Sequence, residues 1–336
     1  MIREQVSLKP YNTFGIDVKA AAFASFDSVD TLKSLLSENN QKLPLMLLGG
    51  GSNVLFTKDV DALVLRNEIK GIQIVSETAE TVLVEAGSGE EWHAFVRFTV
   101  ENGWGGIENM SLIPGSVGAS PMQNIGAYGA EIKDCFVSLK AFHLKSGEIH
   151  VFEAAQCQFG YRESVFKREL KGQYVIVAVT YRLTKQPQFN TAYGAIQSEI
   201  EAMGVKTLSV EAISQAVMNI RRSKLPDPKV LGNAGSFFKN PVVSESIGNH
   251  ILAQFPDAPV YPQANGMVKL AAGWLIERAG LKGYRIGNCG VHEKQALVLV
   301  NHGGATGSEI YALSQYVLDT VEAKFGVLLE REVNIY

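Results

Sequence analysis

The chain has 336 residues, enough for two or three domains, and its 46% hydrophobic and 19% charged residues exclude disorder as the main state. Lysine and arginine total 31 against 34 acidic residues, a net charge of -3, which argues against a nucleic-acid surface. Three distant cysteines, Cys135, Cys157 and Cys289, form no CxxC pair or disulfide framework, and the histidines lack HExxH spacing, so neither disulfides nor a metal is expected.

The N-terminus, Met1-Ile2-Arg3-Glu4-Gln5-Val6, lacks the apolar core of a signal peptide, and no apolar run is long enough to span a bilayer. A cytoplasmic protein with no membrane partner is expected. Residues 28–38 read as a helix with Ser28 as N-cap and Val29, Leu32, Leu35 and Leu36 on one face. Strand-like runs follow at 45–48, 62–65 and 81–86. Residues 90–102 read as a helix with Trp92, Phe95 and Val96 inward and Gly103 as its stop. Runs at 137–144 and 174–183 are strands, and 210–221 is a helix carrying Val210, Ile213, Val217 and Ile220 at helical spacing.

Lys224-Leu225-Pro226-Asp227-Pro228 reads as a domain hinge, because two prolines forbid continuing the preceding helix. A helix at 270–279 ends at Gly280, and 296–300 is a strand. The last helix starts at Thr306, which forms a capping box with Glu309 ahead of Ile310, Leu313, Val317, Val321 and Phe325. Strands outnumber helices in the first half, and the crossovers are too short for a doubly wound sheet. The predicted fold class is α+β.

Two glycine-rich stretches carry the chemical signal. The strand at 45–48 runs straight into Gly49-Gly50-Gly51-Ser52-Asn53. Such a turn presents successive amide N–H groups suited to phosphate oxygens, or serves as a tight strand-to-strand turn. It is neither a Walker A loop nor a Rossmann fingerprint. The second stretch is Ile113-Pro114-Gly115-Ser116-Val117-Gly118-Ala119-Ser120-Pro121-Met122-Gln123-Asn124-Ile125-Gly126-Ala127-Tyr128-Gly129. Few of these residues could pack a core, which points to backbone lying against a ligand. Two such loops beside strands suit a dinucleotide with two phosphates.

Together these loops resemble the FAD domain of the UDP-N-acetylenolpyruvoylglucosamine reductase family. Phe159-Gly160-Tyr161-Arg162-Glu163-Ser164 is similar to the family's Tyr-Arg motif. The hinge and Gly232-Asn233-Ala234-Gly235-Ser236-Phe237-Phe238-Lys239-Asn240-Pro241 resemble its substrate-domain signature. The resemblance implies a vanillyl-alcohol-oxidase/PCMH-type FAD-binding fold of two lobes plus a separate α+β substrate-binding domain. It places lobe 1 at 1–67, lobe 2 at 68–224 together with a C-terminal strand at 326–336, and the substrate domain at 225–325.

The implied reaction is reduction of UDP-N-acetylglucosamine enolpyruvate to UDP-N-acetylmuramate in a monomer, with non-covalent FAD as cofactor and NADPH as electron donor. Arg162 is the implied cation for the substrate carboxylate and Ser236 the implied proton donor. A glutamate near the C-terminus, carried over to Glu332, assists Arg162, with Glu330 as a competitor. The family usually reads Pro-Glu-Val-Arg where this chain has Arg331-Glu332-Val333-Asn334, so a cationic contact is expected to be missing or supplied elsewhere.

FAD contacts are expected from Gly49, Gly50, Gly51, Ser52 and Asn53. The second loop is expected to add Ile113, Pro114, Gly115, Ser116, Gly118, Ala119, Pro121, Gln123, Asn124, Ile125, Gly126 and Tyr128. Arg221 matches a further flavin-contacting position. Tyr161, Arg162, Lys224, Ser236, Asn240 and Gln295 are expected at the substrate, with Tyr193 on a polar loop that closes over it, as in the longer members of the family. An oxidase of the same fold and a non-catalytic UDP-sugar sensor are the alternatives. The Arg162 and Ser236 motifs argue against the sensor, and the oxidase does not need the Ser236 motif.

Overall fold

The computed structural model describes all 336 residues. They fall into two compact units: 1–6, 20–50 and 61–223 form the first, and 7–19, 51–60 and 224–336 the second. The change of unit at Ser223 and Lys224 falls where the helix Val210–Lys224 meets Pro226. No helix is long and apolar enough to cross a membrane.

The first unit is built on a five-stranded sheet in the order Ile149–Glu153, Phe136–His143, Tyr174–Thr184, Thr81–Gly87, Ile72–Glu77, every neighbouring pair antiparallel. Alternation sets its faces: Val82, Val84 and Ala86 are fully buried. The helix Trp92–Glu101 covers them with Trp92, Phe95, Val96 and Val100. At the centre of this core the Tyr181 ring meets Phe95 and Trp92 at 5.1 and 5.9 Å. Burial pushes its phenol well above the usual range, so Tyr181 stays neutral, and its hydroxyl pairs with the Ser120 hydroxyl at 2.7 Å.

A smaller sheet of the same unit runs Arg3–Ser7, Lys19–Phe26, Val60–Asn67, Leu45–Leu48, with the last two parallel. The helix Val29–Glu38, capped by Ser28 as expected, buries Leu32 and Leu35 against Ala22, Ala24, Phe26, Leu63 and Leu65. That cluster extends to Phe142, Val175 and Val177 of the larger sheet, so the two sheets share a core. The helices Gly194–Ala202 and Val210–Lys224 pack through Ile196, Ile200, Ile213, Val217 and Ile220.

The second unit holds a four-stranded sheet, Gly232–Ser236, Val298–Asn301, Cys289–Val291, Arg285–Ile286, and a three-stranded one, Val242–Ser244, Met267–Leu270, Val260–Pro262. The sequence reading joins 326–336 to the second flavin lobe. In the structure this segment groups with the second unit, where Asn334–Ile335 pairs in parallel with Val54–Leu55. The helix expected at 270–279 spans Ala272–Arg278, because Leu270 still belongs to a strand. All three cysteines are buried and free, and burial pushes the Cys157 thiol up to about 12, which keeps it protonated.

The capping box forms as the sequence requires: Glu309 N–H donates to Thr306 Oγ1 at 3.2 Å and Thr306 N–H to the Glu309 carboxylate at 2.7 Å. These bonds satisfy amides that open the helix Gly307–Phe325, the longest in the chain. Thr306→Ala should therefore lower stability by about 1 kcal/mol, read as a lower Tm, and an unchanged Tm would refute the cap's contribution.

Candidate functional site

In the first unit the two glycine-rich stretches touch backbone to backbone. A Cβ on Gly49 would lie 2.7 Å from Ser116 Oγ, and one on Gly50 would lie 3.2 Å from Gly115 Cα. A side chain at either position would crowd the facing loop. The longer loop is tied to rigid elements around it: Trp92 N–H donates to Gly115 O at 3.0 Å, Val117 N–H to Glu90 O at 2.9 Å, and Gly118 N–H to Ser88 O at 2.8 Å. Ser120, held by Tyr181, fixes its middle. Three non-glycine residues, Leu112, Asn124 and Tyr128, take positive φ of 58°, 45° and 51° in or beside this loop. Conformations of that kind cost roughly 1–3 kcal/mol each and persist only where the surroundings enforce them.

Asn124 is expected at the flavin, but its side chain is fully buried and spent on protein. Its amide donates to Glu131 and to Gly160 O at 3.1 Å each, and its oxygen accepts from Lys133 N at 3.1 Å. Asn124 thereby fastens the loop to the next motif, leaving only its backbone to meet a ligand.

Arg221 reaches this loop from the helix Val210–Lys224. Its guanidinium lies beside the Tyr128 hydroxyl, while its Nε is shut off from solvent with no partner. Burial lowers the Arg221 pKa and the neighbouring Tyr128 opposes the shift. A cationic side chain with a buried, unsatisfied donor calls for an acceptor that the protein does not supply. The bare cradle and this orphan donor fit the oxygen-rich chain of FAD.

The Arg162 motif is a tight reversal. Gly160 N–H donates to Glu163 O at 3.0 Å and Glu163 N–H to Gly160 O at 3.3 Å, with Arg162 between them at φ 57°. The Arg162 Nη2 donates to Gly126 O at 2.8 Å, its guanidinium lies 5.3 Å from the Tyr161 ring centroid, and Lys167 Nζ donates to Arg162 O at 3.2 Å. The Tyr-Arg motif and the long glycine-rich loop are thus one assembly, joined through Asn124 and Arg162. Tyr193 is half exposed, its ring edge-on to Tyr128 at 5.3 Å.

In the second unit Gly51, at φ 64°, could not carry a side chain, because its Cβ would fall 2.0 Å from Tyr11 O. Ser236 ends the strand Gly232–Ser236 and is exposed, while Phe237 and Phe238 behind it are buried. Asn233 shapes the turn before it by accepting from Gly235 N at 3.0 Å. The C-terminal segment pairs with the residues that follow: Glu332 N–H donates to Phe237 O and Lys239 N–H to Glu330 O, both at 2.8 Å. Ser236 and Glu332 therefore sit one position apart across a short antiparallel ladder.

Alternation along a strand cannot separate Glu330 from Glu332. Glu330 is ion-paired with the buried Lys239 at 2.6 Å. Arg331, where the family usually has proline, anchors the segment by donating to Ser314 Oγ at 2.8 Å and Gln315 Oε1 at 2.7 Å, with its guanidinium 4.5 Å from the Tyr311 ring centroid. Asn334, in place of the usual arginine, donates through its side chain to Asn53 O at 2.9 Å, and Asn53 Nδ2 donates to Glu332 O at 3.4 Å. Of the other expected substrate residues, Lys224 is exposed, Asn240 accepts from Ala272 N at 2.9 Å to cap a helix, and the Gln295 amide oxygen accepts from Leu297 N at 3.4 Å.

A side-chain-poor cradle with an arginine whose buried Nε lacks a partner, beside a second arginine held in a strained turn, defines an FAD-binding oxidoreductase. Residues 20–153 match the model of an FAD binding domain, and residues 227–336 match the C-terminal domain of UDP-N-acetylenolpyruvoylglucosamine reductase. The chain is 51% identical over 335 residues to the UDP-N-acetylenolpyruvoylglucosamine reductase of Pseudomonas putida, covering 99% of this chain and 98% of that one. It is 50% identical over 336 residues to that of Pseudomonas aeruginosa, covering 100% and 99%. The crystal structure of the Thermus caldophilus reductase superposes with a TM-score of 0.71 at 23% identity, covering all of both chains. The chain belongs to the UDP-N-acetylenolpyruvoylglucosamine reductase family.

One residue of the cradle was missed in the sequence. His93 Nδ1 accepts from the N–H of the strained Leu112 at 3.0 Å, a bond open only to the neutral ring. Burial lowers the His93 pKa below its usual value; Glu91 opposes this, while Arg97, Arg222 and Arg221 add to it. The folded protein therefore favours neutral His93. The stability this gives is present above the unfolded value of 6.5 and is lost as pH falls through the lower folded value. FAD release, followed by flavin fluorescence, should rise as pH falls below 6.5, and His93→Asn, whose side-chain oxygen can accept the same bond, should flatten that rise. Identical profiles for the two proteins would remove His93 from the cradle.

Proposed function

We propose that this chain reduces UDP-N-acetylglucosamine enolpyruvate to UDP-N-acetylmuramate, drawing electrons from NADPH, as a cytoplasmic monomer. The observation that supports this reading most strongly is the forced geometry of Arg162. A left-handed arginine costs stability, and its motif is bonded on both sides to the loop that fits FAD. Such an expense is reasonable where a guanidinium has to be aimed. Bound FAD would supply hydride transfer, having accepted hydride from NADPH.

Addition of hydride to the terminal alkene carbon leaves an electron pair on the carbon that bears the carboxylate. Arg162 would grip that carboxylate with two parallel N–H donors and stabilise the charge spreading into it. Glu332 would assist Arg162 in polarising that carboxylate. Ser236 would then deliver its hydroxyl proton to the charged carbon, completing the addition of hydride and proton across the double bond. A serine is a weak acid, but the carbanionic partner is a strong base. Lys224 supplies a mobile point charge suited to the diphosphate, and Tyr193 closes over the bound substrate.

Two outcomes test these roles. With Ser236→Ala, NADPH should still bleach the flavin, whereas reoxidation by the enolpyruvyl substrate should slow by about 10²–10⁴-fold. Ser236→Cys, which keeps a transferable proton, should recover part of the rate. Rapid reoxidation of the alanine variant with normal product would exclude Ser236 as the donor.

Arg162→Gly separates backbone strain from chemistry. Glycine accepts positive φ freely, so relief of about 1–2 kcal/mol of strain should offset glycine's entropic cost of about 0.5–1 kcal/mol and the lost bond to Gly126, and Tm should hold. Substrate reduction should nevertheless fall by about 10²–10³-fold. Retained turnover in a stable Arg162→Gly protein would refute the carboxylate role.

A further inference from the structure

We propose that Asn109 is a positioning residue for substrate reduction: it latches the loop that carries Tyr193 to the long glycine-rich loop. The inference rests on the closing role proposed above for Tyr193. Asn109 lies in the short turn Glu108–Met110 and is 3% exposed. Its Nδ2 donates both hydrogens, one to Tyr128 O and one to Asn190 O, each at 3.0 Å. Asn190 completes the clasp by donating from its own Nδ2 to Gly129 O at 3.0 Å.

Three hydrogen bonds thus stitch the segment before Tyr193 to Tyr128 and Gly129, and the Tyr128 and Tyr193 rings meet edge to face at 5.3 Å and 83°. Neither end of this segment needs the clasp. At one end Thr184 exchanges two backbone bonds with Gly105, at 2.8 and 2.9 Å. At the other, Tyr193 opens the helix Gly194–Ala202, which packs on the helix Val210–Lys224 through Ile196 and Ile200. Between them Phe189 packs on the apolar clusters on either side, and the clasp fixes the stretch from Asn190 toward Tyr193. It grips Tyr128 by the carbonyl of a residue already strained at φ 51°.

The chemistry requires an amide at position 109. Asparagine supplies two N–H donors to two carbonyls, whereas aspartate would present oxygen to oxygen. Each lost bond should be worth a few-fold in an equilibrium constant. The latch would act on substrate binding and leave flavin reduction alone, because neither Asn109 nor Asn190 takes part in proton or hydride transfer.

The experiment uses the FAD-loaded enzyme with Asn190→Ala, an exposed change that spares the core, and with the isosteric Asn109→Asp. Each should raise KM for the enolpyruvyl substrate by about 3–10-fold, with flavin content and the rate of flavin reduction by NADPH within about twofold of the parent. In a Tyr193→Ala background the same substitutions should add less than about twofold, because their effect passes through the missing ring. An unchanged KM in Asn190→Ala, in a protein whose turnover does suffer from Tyr193→Ala, would overturn the latch and leave the closing role standing. Loss of flavin from Asn109→Asp with normal KM in Asn190→Ala would likewise overturn it, assigning Asn109 to the flavin loop alone. Full activity in Tyr193→Ala would remove the closing role and the latch together.

Discussion

A seventeen-residue glycine-rich loop cannot hold itself in place, and the first unit is organised around this constraint, taking Val117 into its core and packing Ile113 and Ile125 against it. The loop's backbone must stay bare to lie against Gly49 and Gly50, so its position has to be imposed from outside. The five-stranded sheet and the helix on it impose it, through Gly115, Val117, Gly118 and the hydroxyl of Tyr181. Tyr181 can serve only because its ring is packed among Trp92 and Phe95, where burial keeps the phenol neutral. Core packing and ligand-loop geometry are here the same interaction.

The strained residues follow from that arrangement. Leu112, Asn124, Tyr128 and Arg162 would relax if the loop were free, and each is restrained by a named partner or neighbour: His93, Lys133 and Glu131, Asn109, and Gly126 with Lys167. Most of these partners are polar side chains from elements outside the loop. This pattern stores energy locally while the surrounding sheet bears the cost.

The second unit reaches a comparable result with charge and aromatic contacts. The C-terminal segment is too short to form a stable strand alone. It is fixed by backbone pairing with 237–239, by the Lys239–Glu330 ion pair, and by Arg331 lying on the Tyr311 ring. Departures from the family's usual Pro-Glu-Val-Arg are thus filled by local solutions: Arg331 anchors to a helix, and Asn334 anchors to Asn53.

Much of this protein was legible as sequence because the signals were local. Helical spacing and caps placed the helices after Ser28 and Thr306, strand-like runs at 81–86 and 174–183 marked the strands Thr81–Gly87 and Tyr174–Thr184, and the glycine stretches with the motifs around Arg162 and Ser236 carried the family resemblance. The helices Gly194–Ala202 and Glu245–Gln254 were passed over: the first is seen as a packed element only through its contacts with a neighbouring helix, and the second buries little more than Gly248 and Ile251.

Only the folded chain could show that Asn124 spends its side chain on protein, that Arg221 keeps an unpaired donor, and that Glu330 is ion-paired with Lys239. Each of these involves a partner tens of residues away. A residue's type tells what it can bond, and its distant neighbours decide whether that capacity is already used.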